Sequence, residues 1–258
     1  MASRLVAVIT GAATGVGAAS ARWFAARGYD VLINYRASSD AAAAVAAECR
    51  AAGADAVTVQ GDVAEDADCR RVADIARERW GAVAVLINSA GTTLFRPMAD
   101  LEALDAADFA RIFAVNVTGA YQMVRALAPL MTAGGAVVNI SSVAGVNGTG
   151  SCYAYAASKG ALNTLTLALA RNLAPGIRVN AVLPGMIEGR WLREGVGDAA
   201  YEKVRDSFAR TAALETVATP DQVAATAGWL ATDAVLMTGQ LITADAGVLL
   251  GRPPRVIE

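Results

Sequence analysis

The chain has no histidine, so a Ser-His-Asp triad, a Cys-His dyad and any His-ligated metal are excluded. Acid–base work falls to Tyr, Lys, Asp, Glu or Cys. The stretch "SCYAYAASKGAL" offers one pairing: Tyr155 stands four residues before Lys159, one of two lysines against twenty arginines. Residues four apart on a helix sit about 40° apart around the axis and share a face. Tyr153, six residues before the lysine, sits about 120° away and is the poorer partner. A free tyrosine titrates near ~10, too high for efficient proton exchange at neutral pH. Lowering it by about three units takes roughly 4 kcal/mol, which a cation at ~4 Å supplies at an effective dielectric of ~20. A compact ammonium on a flexible stem does this more cleanly than a planar guanidinium. Taken alone, Tyr-x-x-x-Lys is more often surface chemistry on an amphipathic helix; its surroundings decide.

A second constellation lies near the start. "VITGAATGVGAASARWFAARG" sets Gly11, Gly15 and Gly17 between an apolar run and a helix-periodic one, with Thr14 and Val16 in the same turn. Such glycines make a tight turn, let a pyrophosphate approach the backbone and leave a helix N-terminus with open amides. The spacing alone also fits a ligand-free turn; its place directly after the first strand favours a dinucleotide. After the second apolar run, "LINYRASSD" has no carboxylate before Asp40 but offers Arg36, then Ser38 and Ser39. An acidic residue here holds the ribose hydroxyls of NAD, whereas arginine suits the 2′-phosphate of NADP. NADP(H) is the expected cofactor and NAD(H) the alternative; an ordinary solvated arginine is the plain reading of Arg36.

These groups need a framework to position them. Seven short apolar runs recur: "RLVAVIT", "DVLINYR", "AVTVQGDV", "VAVLINSAG", "GAVVNISS", "IRVNAVLPG" and "QLITADAG". Alanine-rich, helix-periodic stretches separate them, the longest being "DAADFARIFAVNVTGAYQMVRALAPLM". Strands apolar on both faces, alternating with helices, predict an α/β fold: one doubly wound, Rossmann-type domain over residues 1–258 with a seven-stranded parallel sheet. The segment "MIEGRWLREGVGDAAYEKVRDSFART" breaks the alternation and reads as a helical lid around 186–212. At 55% hydrophobic and 18% charged, the chain is globular with a large core. A net charge of −2 provides no basic surface for nucleic acid or anionic membrane. No apolar run reaches the ~18–20 residues of a membrane span, and the stretch before Gly11 is too short for a signal peptide. A cytoplasmic protein is expected. Cys49, Cys69 and Cys152 show no paired spacing, which argues against a disulfide framework or zinc site.

The glycine turn, "NSAG", "NISSVAG", Tyr155-x-x-x-Lys159 and "LPG" follow in this order across residues 4–250. That set resembles the short-chain dehydrogenase/reductase family, in its single-domain branch. The resemblance implies hydride transfer between a nicotinamide and a carbonyl or secondary alcohol, with no metal. It implies Tyr155 as general acid in reduction and base in oxidation, with Lys159 lowering its pKa and holding the nicotinamide ribose. Ser142, thirteen residues before Tyr155, is similar to the serine that bonds the substrate oxygen; only family spacing separates it from Ser141. Asn116 in "VNVTG" resembles the helix asparagine that anchors a proton-relaying water, and otherwise reads as a buried polar residue satisfying local backbone. Asp62 and Val63 look like the adenine contacts, and Asn88, Ala90 and Gly91 like the segment beneath the adenosine ribose. Pro184, Gly185 and Ile187 resemble the stretch that binds the nicotinamide. Family members are usually tetramers, which implies a homotetramer built on two long helices and the C-terminal strand region, with the tail "GRPPRVIE" as a candidate contact.

Three positions depart from the family pattern. Ser89 replaces a second asparagine, Gly189 a common threonine, and "DAG" at 245–247 the commoner "DGG". The substrate is expected between residues 92–98, 144–153 and the stretch from Met186. There Leu94, Phe95, Trp191 and Leu192 suit a partly apolar molecule, while Arg96, Arg190 and Arg193 either attract an anionic group or are solvated. A 3-oxoacyl thioester reductase is the first implication, and a sugar, polyol or other secondary-alcohol dehydrogenase the alternative. A sugar-nucleotide epimerase would usually be longer with different glycine spacing. An enoyl reductase needs its tyrosine seven residues before the lysine, where Cys152 stands. A non-catalytic NADP-binding protein would have no reason to keep Ser, Tyr, Lys and Asn together.

Overall fold

The computed structural model describes residues 4–251. β1 (Val6–Ile9) leads to α1 (Gly15–Ala25), β2 (Asp30–Tyr35) to α2 (Ser39–Ala51), and β3 (Ala56–Gln60) to α3 (Asp66–Trp80). After β4 (Val83–Asn88) come α4 (Ala106–Phe113) and α5 (Ala120–Leu127), joined without a break by a π-helical stretch, Ala114–Gly119. β5 (Met131–Ile140) leads to the single turn α6 (Ala144–Asn147) and the long α7 (Tyr153–Leu173). β6 (Ile177–Pro184) precedes α8 (Arg190–Val196), α9 (Asp198–Thr211) and α10 (Pro220–Thr232), and β7 (Leu241–Ala244) completes the sheet.

All strand pairs are parallel, in the order 3-2-1-4-5-6-7. The seven apolar runs are these seven strands. Successive residues of a strand point to opposite faces. Ile9, Ile33, Ile87 and Val138 therefore pack with Phe24 of α1 and Leu230 of α10. Val8, Leu32, Leu86 and Val137 pack with Val72 of α3 and Met123 of α5 on the other side. Helices cover both faces, so neither face calls for polar residues and the runs are continuous.

Two boundaries differ from the sequence pattern. The helix-periodic stretch stops at Leu127, where Pro129 enters a 3-10 turn, Ala128–Leu130, and β5 starts at Met131 rather than near Gly135. The extra residues form an irregularity between the register pairs Val83–Met131 and Val85–Ala136, eased by Gly134 at φ +86. Residues 186–212 include α8 and α9, gathered around a small core of Met186, Tyr201 and Val217. Among the described residues, no helix is long and apolar enough to cross a membrane. The tail beyond Gly251 lies outside the described residues. Between β1 and β4 the strand order changes direction, and the crossovers leave to opposite sides. A crevice opens there, at the carboxyl ends of the strands.

Candidate active site

Thr10 follows β1, and its Oγ1 accepts from the amides of Ser89 and Ala90, both at 3.0 Å. The loops after β1 and β4 are thereby pinned together. Gly11 sits at φ +61, and a Cβ on it would stand 2.8 Å from Ala90 Cα, so only glycine fits. Gly17 packs so closely that a Cβ would meet Gly11 O at 2.4 Å. Thr14 precedes α1 without a side-chain cap, which leaves the amides of the first turn to a ligand.

The crevice is a cleft of about 470 Å³. Gly11, Thr14, Gly15 and Val16 line its middle, Arg36, Asp62 and Val63 one end, and Tyr155, Lys159 and Ile187 the other, with Ala90 and Gly91 between. A Cβ on Gly91 would fall 3.6 Å from Asn116 Oδ1 and 3.9 Å from Lys159 Nζ. An uncapped helix N-terminus, an arginine at one end and a lysine at the other fit a dinucleotide. The other expected residues support the cleft from behind. Asn88 Nδ2 donates to Asn139 Oδ1 at 2.9 Å, Pro184 O accepts from Val143 N at 3.0 Å, and a Cβ on Gly185 would lie 3.1 Å from Asp245 Cα. An open groove of about 550 Å³ runs outside Arg36 toward Arg71 and Ile75 and holds none of the acid–base residues.

Tyr155 and Lys159 share the face of α7 that lines the cleft. Lys159 is buried; its Nζ donates to Ile140 O at 2.9 Å and lies 5.7 Å from the Tyr155 ring centroid. Ser142 is half-buried, its Oγ accepts from Ala144 N at 3.1 Å, and it lies close enough to the Tyr155 hydroxyl to favour the phenolate. Ser141 also lines the cleft, but its hydroxyl is engaged, donating to Asn163 Oδ1 at 2.6 Å. Burial pushes Tyr155 up to about 12, opposed by the nearby Ser142 hydroxyl, and pushes Lys159 down to about 8. The expected lowering of Tyr155 by Lys159 is thus not met. The ammonium donates to Ile140 O and flanks the ring, and burial sets the direction of the tyrosine's shift. The tyrosine keeps partial exposure to the cleft, so its proton stays within reach of a ligand.

Asn116 lies in the π-helical stretch, nearly fully buried. Its Oδ1 accepts from Thr92 N at 2.8 Å, and its Nδ2 donates to Thr92 O at 3.0 Å and Ser158 Oγ at 2.9 Å. Ser158 Oγ in turn donates to Tyr155 O at 2.7 Å. The asparagine side chain therefore clamps the loop after β4 to the helix that carries the tyrosine.

A family model described as enoyl-(acyl carrier protein) reductase matches residues 11–249. A Streptomyces violaceoruber protein named for a ketoacyl reductase of granaticin polyketide synthase is 36% identical, over 95% of this chain and 96% of its own length. A Burkholderia xenovorans structure described as a short-chain dehydrogenase/reductase aligns with a TM-score of 0.90 at 46% identity, covering 97% of this chain and 100% of its own. The chain belongs to the short-chain dehydrogenase/reductase family. Such an enzyme uses an NAD(P)-type cofactor. Another relative of this short-chain oxidoreductase, the cis-4-hydroxycyclohexanecarboxylate dehydrogenase of Sinomonas cyclohexanicum, is 36% identical over 94% of this chain and 95% of its own.

Against other short-chain dehydrogenases, the departures here have local causes. Gly189 enters α8 at φ +153, a backbone that a threonine would strain. Ala246 sits at φ +56, the conformation a glycine in "DGG" adopts freely, while the Asp245 carboxylate accepts from Gly247 N and Leu249 N, each at 2.8 Å. Sequence reasoning missed Thr10 and Ser158, and placed Thr92 and Gly145 only within stretches expected to line the substrate. A Cβ on Gly145 would come 2.5 Å from the carbonyl carbon of Lys159, so α6 lies directly on α7. The only signal for the first two was position: a threonine before Gly11 and a serine before Lys159. On the substrate side, Arg190 pairs with Glu194 at 3.1 Å, and Arg193 with Asp198 at 2.9 Å and Glu202 at 3.1 Å. Two of the three arginines singled out are thus held within their own segment.

Proposed function

We propose that this short-chain dehydrogenase is an NADP(H)-dependent enzyme that interconverts a ketone and a secondary alcohol. The observation that carries the reading is the meeting of Tyr155 and Lys159, with Ser142 beside the tyrosine, at one end of a cleft whose other end presents Arg36. β2 offers the ribose no acid: the Asn34 amide donates to Gly61 O at 3.0 Å and Val59 O at 3.3 Å. Arg36 is largely exposed and pairs with Asp62 at 3.7 Å, a loose ion pair that a 2′-phosphate can replace.

The first-turn amides of α1 would hold the pyrophosphate, Lys159 the nicotinamide ribose, and Ile187 the side of the ring. The bound nicotinamide supplies or accepts the hydride. Tyr155, held at about 12, stays protonated through neutral pH and donates its proton to the oxygen developing charge in reduction. Ser142 donates to the same oxygen and steadies that charge. Lys159 stabilises the phenolate left behind, and Asn116 and Ser158 fix the helix on which it forms. The ketoacyl relative supports a 3-oxoacyl thioester as substrate; the aromatic residues beside Tyr155 favour a second reading, a dehydrogenase of other secondary alcohols. Exposed Phe109, Tyr121 and Leu167 on α4, α5 and α7 support a homotetramer, and the cytoplasm is the proposed location.

Nicotinamide absorbance over a carbonyl panel, with NADPH and with NADH, tests the reading when Arg36→Ala runs beside the wild type. The expected result is NADPH preference and a roughly 10- to 100-fold higher KM for NADPH in the variant, with NADH little changed, the size of a lost charge-assisted hydrogen bond. An NADH preference in the wild type contradicts the Arg36 assignment, and absence of turnover on every carbonyl contradicts the reaction.

A further inference from the structure

Trp191 stands on α8 directly beside the reacting end of the cleft. Its ring centroid is 6.0 Å from that of Tyr155, with the planes tilted by 55°, and 6.0 Å from that of Phe95, edge to face at 66°. The residue lines the cleft yet is 53% exposed, so the ring leaves a broad apolar surface open to water beside the Tyr155 side chain. Burying such a surface is favourable. The wall is braced from behind. Phe95 lies on the backbone of α8 at Gly195, where a Cβ would stand 2.0 Å from Phe95 Cε2. Arg190, next to the tryptophan, is paired with Glu194 at 3.1 Å. What meets a carbonyl bonded to Tyr155 is therefore the flat, aromatic face of Trp191.

The geometry points to Trp191 as a specificity-determining residue that selects ketones whose carbonyl is flanked by a flat apolar ring over those flanked by a flexible chain. A planar ring can cover the indole face without losing rotamer freedom, whereas a flexible chain pays conformational entropy to lie flat. This inference rests on the carbonyl-reductase reading and narrows its substrate class.

The test uses three diketones that differ in one substituent: 2,3-butanedione, 1-phenyl-1,2-propanedione and 2,3-octanedione. The ratio of kcat/KM for the phenyl compound to that for the octanedione is measured in the wild type, Trp191→Ala, Trp191→Phe and Gly195→Ala, and butanedione sets the baseline. Thermal unfolding of each variant checks the fold. The wild type is expected to prefer the phenyl compound roughly tenfold, through KM. That ratio falls to near one in Trp191→Ala, falls part-way in Gly195→Ala, which keeps all the rings but unseats Phe95, and is largely kept in Trp191→Phe. Equal use of the phenyl compound and octanedione by the wild type, or an unchanged ratio in Trp191→Ala, overturns the proposal. If the wild type turns over no diketone, the carbonyl panel decides the reaction, and calorimetric binding of 1-phenylethanol against 2-octanol with NADP present takes the place of the ratio. A phenyl preference lost in Trp191→Ala then still supports the wall, and equal binding overturns it.

Discussion

Lys159 carries its charge in a buried position, and the environment that makes it useful also costs stability. Burial lowers it from 10.5 to about 8, a shift that corresponds to roughly 3 kcal/mol. Because the folded value lies below the unfolded one, the unfolded chain binds more protons between these limits, and stability rises with pH across that window. Below about 8 the burial cost is present in full. Lys159→Met should therefore stabilise the cofactor-free protein at pH 7 by about 1–3 kcal/mol, after allowing for the lost hydrogen bond to Ile140 O, while abolishing reduction. Denaturant unfolding at pH 7 and pH 10 measures this; the gain should shrink at the higher pH, and a variant less stable at both contradicts the burial cost. In the wild type the same titration should make reductive kcat/KM fall above pH 8. Tyr155 and Lys159 were legible as a pair from their spacing. The direction of the tyrosine's shift was not, because spacing specifies which groups meet and says nothing of how much water they lose.

Between elements, the decisive contact is that of α6 on α7. Gly145 gives α6 no side chain at the point where it crosses the carbonyl carbon of Lys159, and the short connection back to Ser142 places that serine against Tyr155. Gly145→Ala forces these backbones apart. Overpacking of this kind costs about 1–3 kcal/mol, and displacement of Ser142 should lower kcat more than it changes the KM for NADPH. Thermal unfolding together with steady-state kinetics separates the two effects; wild-type stability and kcat in the variant would show that the crossing is not tight. The long helix before β5 was legible from its period, but its π-helical stretch was not. Hydrophobic periodicity reports which face is buried and is blind to the size of the hydrogen-bonded ring, so Asn116 showed its clamp only in three dimensions. Pro129, by contrast, was in plain view as the residue that ends the helix early.

For the molecule as a whole, the seven strands were readable because a sheet covered on both faces leaves continuous Val- and Ile-rich runs in the sequence. Such runs do not record their lateral order, and the position of the crevice between β1 and β4 follows from that order. The substrate wall was the least legible feature. Phe95 and Trp191 were legible as candidate lining residues, but their packing beside Tyr155 depends on α8 folding back over the loop after β4. The cofactor turn was legible because positive-φ turn positions such as Gly11 favour glycine whatever packs against them, even though its contact with Ala90 was not readable. All of this converges on one claim, that a tyrosine on α7 is the proton donor to a carbonyl in the cleft. The measurement that tests it most directly is NADPH-dependent reduction of the best ketone by wild type and Tyr155→Phe, with NADPH affinity determined in parallel by fluorescence titration. The predicted result is a loss of roughly 10²- to 10⁴-fold in kcat with NADPH affinity preserved; a phenylalanine variant that turns over at the wild-type rate would contradict it.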